Sequence, residues 1–278
     1  MTRTSFATQS EPLLAGWRTG SGEPVLLLHG GPGLSFEYLD FLAEDIGEGV
    51  EVAGYQQRGL APSTTEGPFT VAEHVRDVAR VLDALGWEKA YVVGHSWGGH
   101  LAMHVAVGLP DRLLGVLVVD PLGGVGDGGM EVFDAEMFAR TPESVRDRAR
   151  ELDEMMMRGE GSEATAEEGI RLVWPAYFAD QASAPPMPHI GVSLDCLSGT
   201  FESLQQELPF LETALAKVRV PVGFVHGERS PMPATASTDS AEKIPGAWVE
   251  IAPGAGHFVW YEAPGSVRRA LLRLSRRA

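Results

Sequence analysis

Three features that define large classes of proteins are missing from this chain. A single cysteine, Cys196, occurs among its 278 residues, so no disulfide can form within it. No run approaches the roughly 18 apolar residues that a membrane-spanning helix needs. Residues 1–20 also lack the charged start and following apolar run of a secretory signal. These absences favour a cytoplasmic protein.

Positive charge is scarce as well. The chain carries 22 lysines and arginines against 38 aspartates and glutamates, and its formal net charge is −16. Nucleic acids and anionic membranes both bind basic surfaces, so we expect neither as a partner. The locally basic residues 267–277 are amphipathic, and a packed terminal helix accounts for them because cations stabilise the C-terminal end of a helix. A small molecule is the expected partner, and the oligomeric state is left open.

Short apolar runs alternate with helical patterns along most of the chain. Wholly apolar runs of this length are typical of strands buried on both faces, as in a parallel sheet. Helical spacing of apolar residues follows in residues 70–85 and 97–109, which predicts βαβ units in an α/β fold. An opening hairpin is expected between residues 5 and 18. The apolar runs are Pro24–Leu28, Ala90–Val93, Leu114–Val119 and Val220–His226.

The middle of the chain, residues 123–215, breaks this alternation. It opens with the glycine-rich residues 123–129 and continues with acidic, methionine-containing helical segments. The glycines are followed by no Lys-Ser/Thr pair, so a hinge is favoured over a phosphate loop. We therefore divide the chain into a core of residues 1–122 and 216–278 and an inserted helical cap of residues 123–215.

The strongest motif is Gly94-His95-Ser96-Trp97-Gly98, which lies between a predicted strand and a predicted helix. A sharp turn of this kind exposes the serine hydroxyl above the sheet, and its glycines avoid clashes across the turn. The helix that follows directs its positive N-terminal end at developing negative charge. Ser96 is therefore the candidate nucleophile.

A second glycine-rich loop, His29-Gly30-Gly31-Pro32-Gly33, follows the first predicted strand of the sheet. Acyl transfer needs N–H donors where negative charge forms on the substrate oxygen. The backbone N–H groups of Gly31 and Trp97 are the candidates for this oxyanion hole. We interpret His29 as a residue that orients the loop.

A histidine near the C-terminus completes the pair needed for nucleophilic catalysis. His257 lies in Gly254-Ala255-Gly256-His257, shortly after the strand-like residues 248–251. A loop after the last strand can reach back over the sheet edge to Ser96, where a neutral imidazole accepts and returns a proton. His257 is therefore the candidate base.

These motifs resemble those of the α/β-hydrolase superfamily, from about residue 24 to the end of the chain. The loop at residues 29–33 and the residues Gln56-Gln57-Arg58-Gly59 are similar to two motifs of the proline iminopeptidase branch. That branch has Asp-Gln-Arg-Gly where this chain has residues 56–59. The resemblance implies an α/β-hydrolase fold, that is, a mainly parallel sheet with helices on both faces and an inserted helical cap. It implies no cofactor and no metal.

The acid of the triad departs from the usual pattern. Many α/β-hydrolases carry an aspartate three residues after the glycine that ends the penultimate strand, and this position holds Ser230. Asp120 ends the strand after the nucleophile helix, where some members of the superfamily place the acid. Glu228 is the alternative, with a longer side chain two residues before the usual place. Asp120 is preferred because the mechanism requires an anionic residue to orient the histidine, and it also fits the chain order Ser96, Asp120, His257.

Several activities share this skeleton. We expect a carboxylic-ester hydrolase, with a proline iminopeptidase-like aminopeptidase as the first alternative; that enzyme would need cap carboxylates for a substrate ammonium. A serine-dependent C–C hydrolase or a cofactor-free haloperoxidase-like enzyme remains open, as does a non-catalytic binding protein. Epoxide hydrolases and haloalkane dehalogenases use an aspartate where this chain has Ser96. The cap glutamates considered are Glu202, Glu207 and Glu212.

No metal site is expected. His100 and His104 are spaced four residues apart on one predicted helix, which is compatible with metal binding. The glutamate of a His-Glu-x-x-His motif is missing between them, and no third ligand is evident.

Overall fold

The computed structural model describes residues 2–276 and contains a sheet of eight strands. The strands are β1 (Thr4–Ala7), β2 (Ala15–Gly20), β3 (Glu23–Leu28), β4 (Val50–Tyr55), β5 (Ala90–His95), β6 (Leu113–Val119), β7 (Val222–Gly227) and β8 (Trp248–Ala252). The helices are α1 (Leu39–Ile46), α2 (Val71–Leu85), α3 (Trp97–Gly108), α4 (Met130–Arg140), α5 (Glu143–Met157), α6 (Glu163–Val173), α7 (Leu194–Ala214), α8 (Thr235–Lys243), α9 (Val259–Glu262) and α10 (Ser266–Ser275). Short 3₁₀ turns span Pro110–Arg112, Trp174–Tyr177, Gln181–Ser183 and Leu215–Lys217.

The sheet has the order β1-β2-β4-β3-β5-β6-β7-β8. Strands β1 and β2 form the predicted opening hairpin, and β2 also pairs antiparallel with β4. All the remaining pairs are parallel. The α/β-hydrolase fold expected from the motifs is therefore confirmed.

Both faces of the sheet are covered, which explains why its central strands are apolar throughout. In β3, Leu26 and Leu28 belong to one core cluster with residues of α2 and α3. Val25 and Leu27 point to the other face and pack with residues of α1 and α10. Alternate side chains of one strand thus enter two separate apolar layers, and no polar face remains.

Local signals explain where several elements begin and end. Helix α2 begins after Thr70, whose hydroxyl accepts a hydrogen bond from the Glu73 N–H at 3.2 Å, and ends at Gly86 with φ of 72°. The predicted run Val220–His226 began too early, because β7 starts at Val222. Pro221 has no N–H to give to the sheet.

The segment predicted as a cap contains helices α4 to α7. Helix α7 packs against the core as well as belonging to that segment. Its Leu204, Leu208 and Leu211 are buried in the same core cluster as residues of α2 and α3. The division at residues 122/123 and 215/216 stays a prediction.

The C-terminal basic segment forms α10. Val267, Ala270 and Leu274 are buried against the sheet, and the Arg273 guanidinium lies 4.0 Å above the Trp248 ring. Arg277, the last residue of the predicted basic run, lies outside the described residues. Within residues 2–276, none of the helices has the length and apolar character required to cross a bilayer.

Candidate active site

Ser96 lies on a sharp turn between β5 and α3. Its backbone has φ of 56° and ψ of −120°, an uncommon conformation for a residue other than glycine. A Cβ at Gly94 would lie 2.0 Å from the Gly98 carbonyl oxygen, and a Cβ at Gly98 would lie 2.2 Å from that of Leu28. Both glycines are thus required for the close approach that exposes the serine hydroxyl.

The expected oxyanion donors border the same cavity as Ser96. Gly31 and Trp97 both line it, and Gly31 has φ of 68°. Within residues 2–276, neither backbone N–H donates a hydrogen bond to another protein group. The Trp97 N–H is free because the first amides of a helix have no partner within it. Two unpaired donors beside the serine can stabilise an oxyanion.

His257 is paired with Asp120. The His257 Nδ1–H donates to Asp120 Oδ1 at 2.7 Å, and both side chains are buried. The His257 backbone N–H donates to the Tyr177 carbonyl at 2.8 Å, which holds the loop in place. Because Nδ1 carries the proton, Nε2 is left with a lone pair, as a general base requires. No hydrogen bond joins Ser96 Oγ to His257 in the described part of the chain, although both line the cavity.

Asp120 receives hydrogen bonds from other groups besides His257. Ser230 Oγ–H donates to Oδ1 at 2.6 Å, and the Gly227 N–H donates to Oδ2 at 2.8 Å. Burial raises the pKa of this carboxyl, but His226, His257 and the hydrogen bonds outweigh burial, so the pKa is lowered. Asp120 is therefore an anion held in place against the His257 ring.

Glu228, the alternative acid, lies elsewhere. Its side chain is exposed and accepts a hydrogen bond from the Gly254 N–H at 2.8 Å. The structure brings Asp120, and not Glu228, to the His257 ring. Ser230, which occupies the usual position of the acid, contacts Asp120 instead.

A buried chain of hydrogen bonds that the sequence motifs did not predict joins the oxyanion loop to the histidine loop. The Gly30 N–H donates to Tyr38 Oη, and the Tyr38 O–H donates to His95 Nδ1 at 2.9 Å. His95 Nε2–H then donates to the His257 carbonyl at 3.1 Å. Burial holds the pKa of His95 well below its usual value, so the ring is neutral and can act as both donor and acceptor.

Gln57 joins the oxyanion loop to the nucleophile turn. Its amide donates to the His29 carbonyl at 2.9 Å and accepts from Trp97 Nε1–H at 2.9 Å. The neighbouring Arg58 makes a bidentate ion pair with Asp77, at 2.6 and 2.8 Å. Gln56, where the similar branch has aspartate, donates to the Leu34 carbonyl at 3.0 Å. Residues 56–58 thus hold the loops that form the site in place. No pattern in the sequence predicts which groups these three side chains bind.

The cavity above Ser96 has a volume of about 410 Å³ and a mostly apolar wall. Among the described residues that line the cavity, Asp134 is the one carboxylate, and there is no lysine or arginine. The three cap glutamates considered as ammonium ligands do not line it. The lining side chains besides the catalytic candidates include Leu34, Tyr38, Leu122, Met130, Phe133, Ile170, Trp174, Tyr177, Ile190, Leu197, Phe201, Met232 and Phe258.

The two histidines on α3, His100 and His104, form a hydrogen bond with each other. His104 Nε2 and His100 Nε2 lie 3.2 Å apart, and His100 Nδ1–H donates to the Gly123 carbonyl at 3.0 Å. Among residues 2–276 there is no group of three or more side chains placed to hold a metal ion.

Comparison with known proteins identifies the family. The sequence profile of the alpha/beta hydrolase family matches residues 25–270. A putative carbamate hydrolase, RutD, from Caulobacter segnis is 36% identical over 108 residues, which are 38% of this chain and 40% of that protein. Epoxide hydrolase B from Mycobacterium tuberculosis is 37% identical over 109 residues, 38% of this chain and 31% of that protein. The chain thus matches less than half the length of these two relatives.

Solved structures show the same fold over nearly the whole chain. The crystal structure of a proline iminopeptidase from Mycobacterium smegmatis superposes with a TM-score of 0.68 at 21% identity, covering 99% of this chain and 98% of that one. The family profile spans most of the sequence and agrees with the sheet order and the turn at Ser96, and on these grounds the chain belongs to the alpha/beta hydrolase family.

Proposed function

We propose that the protein is a serine hydrolase that cleaves carboxylic esters through an acyl-enzyme on Ser96. The observation that carries this proposal is the buried His257–Asp120 hydrogen bond of 2.7 Å at the cavity that also exposes Ser96 and two unpaired N–H groups. A nucleophile, an oriented base and oxyanion donors are the groups that acyl transfer needs.

The reaction follows from these positions. His257 Nε2 accepts the Ser96 proton as Oγ attacks the ester carbonyl carbon, and the N–H groups of Gly31 and Trp97 bind the resulting oxyanion. His257 then protonates the departing alcohol oxygen. Water attacks the acyl-enzyme in the second half, again with His257 as base, and the acid is released.

An aminopeptidase is the less favoured alternative. Recognition of a substrate ammonium needs a carboxylate in the cavity, and Glu202, Glu207 and Glu212 do not line it. In the part of the chain that the structure describes, Asp134 is the one carboxylate that does. The apolar wall favours an ester substrate with no positive charge.

The named activities of the relatives are compatible with this site to different degrees. Ser96 stands where epoxide hydrolases have an aspartate nucleophile, which disfavours that chemistry here. Hydrolysis of a carbamate would use the same serine acyl chemistry, so a carbamate belongs among the test substrates. A C–C hydrolase or haloperoxidase-like activity would also depend on Ser96.

A fluorophosphonate probe tests the nucleophile directly. We expect covalent labelling of the wild-type protein and its loss in Ser96→Ala, while Ser198→Ala, on the exposed side of α7, keeps full labelling. Parallel assays use p-nitrophenyl acyl esters, a p-nitrophenyl carbamate and a proline arylamide. No labelling of the folded wild-type protein would overturn the proposal. Fast arylamide turnover with negligible ester turnover would make the aminopeptidase the better assignment.

A further inference from the structure

The side of the cavity that receives the leaving group is set by His257. In the acyl transfer proposed above, on which this inference rests, the departing oxygen takes its proton from His257 Nε2. The carbonyl oxygen of the substrate lies at the opposite donors, the N–H groups of Gly31 and Trp97. The alcohol part of the ester must therefore lie against the residues that surround the His257 ring.

Besides His95 and Phe258, two further aromatic rings lie near the His257 ring. The centroid of the Tyr177 ring lies 5.4 Å from that of His257, and the Phe133 centroid lies 6.2 Å from it. The two rings are 6.2 Å apart and tilted by 41° relative to each other. Phe133 belongs to α4 and Tyr177 to the 3₁₀ turn Trp174–Tyr177.

The position of this aromatic pair is coupled to the catalytic loop. The Tyr177 carbonyl accepts the His257 N–H at 2.8 Å, so the turn and the histidine cannot move independently. Trp174, in the same turn, packs on Phe258 with ring centroids 4.8 Å apart. Because the Phe133 and Tyr177 rings already contact each other, a substrate ring cannot enter between them. A ring packed against both can contact each one at distances typical of aromatic pairs.

The charges at the pair argue against an anionic alcohol. Within residues 2–276, no lysine or arginine lines the cavity, and its one carboxylate, Asp134, follows Phe133 directly in α4. Burial and the neighbouring Asp153 and Asp127 raise the pKa of Asp134. Burial, and then Asp134, raises the pKa of Tyr177 to about 12, so its hydroxyl stays neutral. Negative charge is disfavoured throughout this part of the cavity.

We propose that the enzyme selects uncharged esters whose alcohol part is an arylmethyl group, packed against both Phe133 and Tyr177 beside His257. Ser96 Oγ forms a bond to the carbonyl carbon, and the bond from that carbon to the arylmethyl oxygen breaks. The Ser96 proton passes through His257 to that oxygen, which releases the neutral alcohol. The cavity of about 410 Å³ is at the small end of the range for ligand pockets, which suits an ester with one ring.

Four butanoate esters test the proposal, with benzyl, cyclohexylmethyl, 4-carboxybenzyl and methyl as the alcohol parts. We expect kcat/KM for the benzyl ester to exceed that of the other three by about tenfold or more, because a tenfold ratio is about 1.4 kcal/mol and one aromatic contact contributes on that order. Phe133→Leu, which keeps apolar volume without a ring, should lower the benzyl-to-methyl ratio by about tenfold. Tyr177→Leu should lower it as well.

The matched control is Phe210→Leu, because Phe210 is 60% exposed on α7 and does not line this cavity. Its benzyl-to-methyl ratio should equal that of the wild type. If the cyclohexylmethyl or the carboxybenzyl ester is as good a substrate as the benzyl ester, the aromatic selection is wrong. A ratio unchanged in both Phe133→Leu and Tyr177→Leu also overturns it.

A cationic ester, 4-(aminomethyl)benzyl butanoate, separates a role of Asp134 from that of the rings. If it is turned over much faster than the benzyl ester, Asp134 selects an ammonium and the proposal of an uncharged substrate is wrong. Fluorophosphonate labelling of Ser96 distinguishes a failure of this inference from a failure of the proposed function. Labelling with hydrolysis of all four butanoates at equal rates overturns only this inference, whereas no labelling and no ester hydrolysis overturn the proposed function as well.

Discussion

Ser230 Oγ lies 2.6 Å from Asp120 Oδ1, the carboxylate oxygen that also accepts the hydrogen bond from His257 Nδ1–H. Ser230 holds the position at which many α/β-hydrolases have their acid. The strands β6 and β7 are parallel neighbours, so the residues that follow their carboxyl ends are adjacent in space. The acid can therefore come from either strand end and reach the same imidazole.

Replacement of Asp120 by asparagine should remove most of the activity. The amide keeps the shape but loses the charge that stabilises the imidazolium, and its NH₂ group favours the wrong tautomer of His257. We expect kcat for p-nitrophenyl butanoate to fall by about 10⁴-fold, the size of this effect in serine proteases. The control is Glu228→Gln, which should retain activity. Near-wild-type kcat in Asp120→Asn with a large loss in Glu228→Gln would show that Glu228 is the acid.

The acid should be transferable between the two strand ends. Asp120→Ser alone leaves the histidine without a carboxylate, and the double substitution Asp120→Ser with Ser230→Asp restores one within reach of Nδ1. We expect kcat of the double variant to be at least about tenfold higher than kcat of Asp120→Ser. A double variant that folds, by circular dichroism, and is no more active than Asp120→Ser would contradict this geometry.

Tyr38→Phe should impair turnover more than binding. The substitution removes the acceptor of the Gly30 N–H and the donor to His95 Nδ1, which leaves buried polar groups unpaired. We expect kcat to fall by about tenfold or more with KM within a factor of three, because both the oxyanion loop and the His257 loop lose a support. Tyr261→Phe is the matched control, since the Tyr261 hydroxyl makes no hydrogen bond within residues 2–276. Equal losses in the two variants would show that the effect is one of packing.

Acid should destabilise the protein over a defined range of pH. Burial lowers the pKa of His29 and His100 to about 4, and burial together with Arg58 and His29 lowers that of His74 to about 3. Below pH 6.5 the unfolded chain binds protons at these histidines while the folded protein does not, so the free energy of unfolding falls as pH falls. Each contributes a slope of about 1.4 kcal/mol per pH unit down to its folded pKa.

Thermal unfolding between pH 7 and pH 4 measures this effect. We expect Tm to fall steeply below pH 6.5, and His74→Gln, which can keep a hydrogen bond to Thr200, should show a shallower decline. His189→Gln, at an exposed position, is the control. A Tm that is constant down to pH 5 would contradict the burial of neutral histidines. Below about pH 4 the lowered pKa of Asp120 adds a further loss, because the unfolded chain binds a proton at this carboxyl that the folded protein does not bind.

The sequence predicted the fold and the sharp turn that carries Ser96, because both depend on short-range patterns. Ser96 needs a strand before it, a helix after it and glycines two residues away on each side, and all of these lie within one stretch of chain. The apolar runs that form β3 and β5 are recognisable because a strand buried on both faces has no polar positions. Helix α1 was not predicted, since it has eight residues and no side-chain cap at its start.

The hydrogen bonds that support the site could not be predicted from the sequence. Tyr38 and Gln57 lie in no motif that specifies their partners, yet each joins two loops that are distant along the chain. Their roles depend on which strand ends the sheet order places side by side. The same is true of Phe133 and Tyr177, whose approach to His257 depends on how the segment between β6 and β7 packs over the sheet.

By itself, the sequence determined that Ser96 sits at a sharp strand-to-helix turn and that the core is a mainly parallel sheet, because hydrophobic periodicity and glycine spacing are local properties. Only the tertiary structure showed that Asp120, and not Glu228, lies against the His257 ring. The hydrogen bond to His257 requires a carboxylate oxygen within about 3 Å of Nδ1, and which carboxylate meets that limit is set by the packing of β6 against β7 and by the path of the loop after β8.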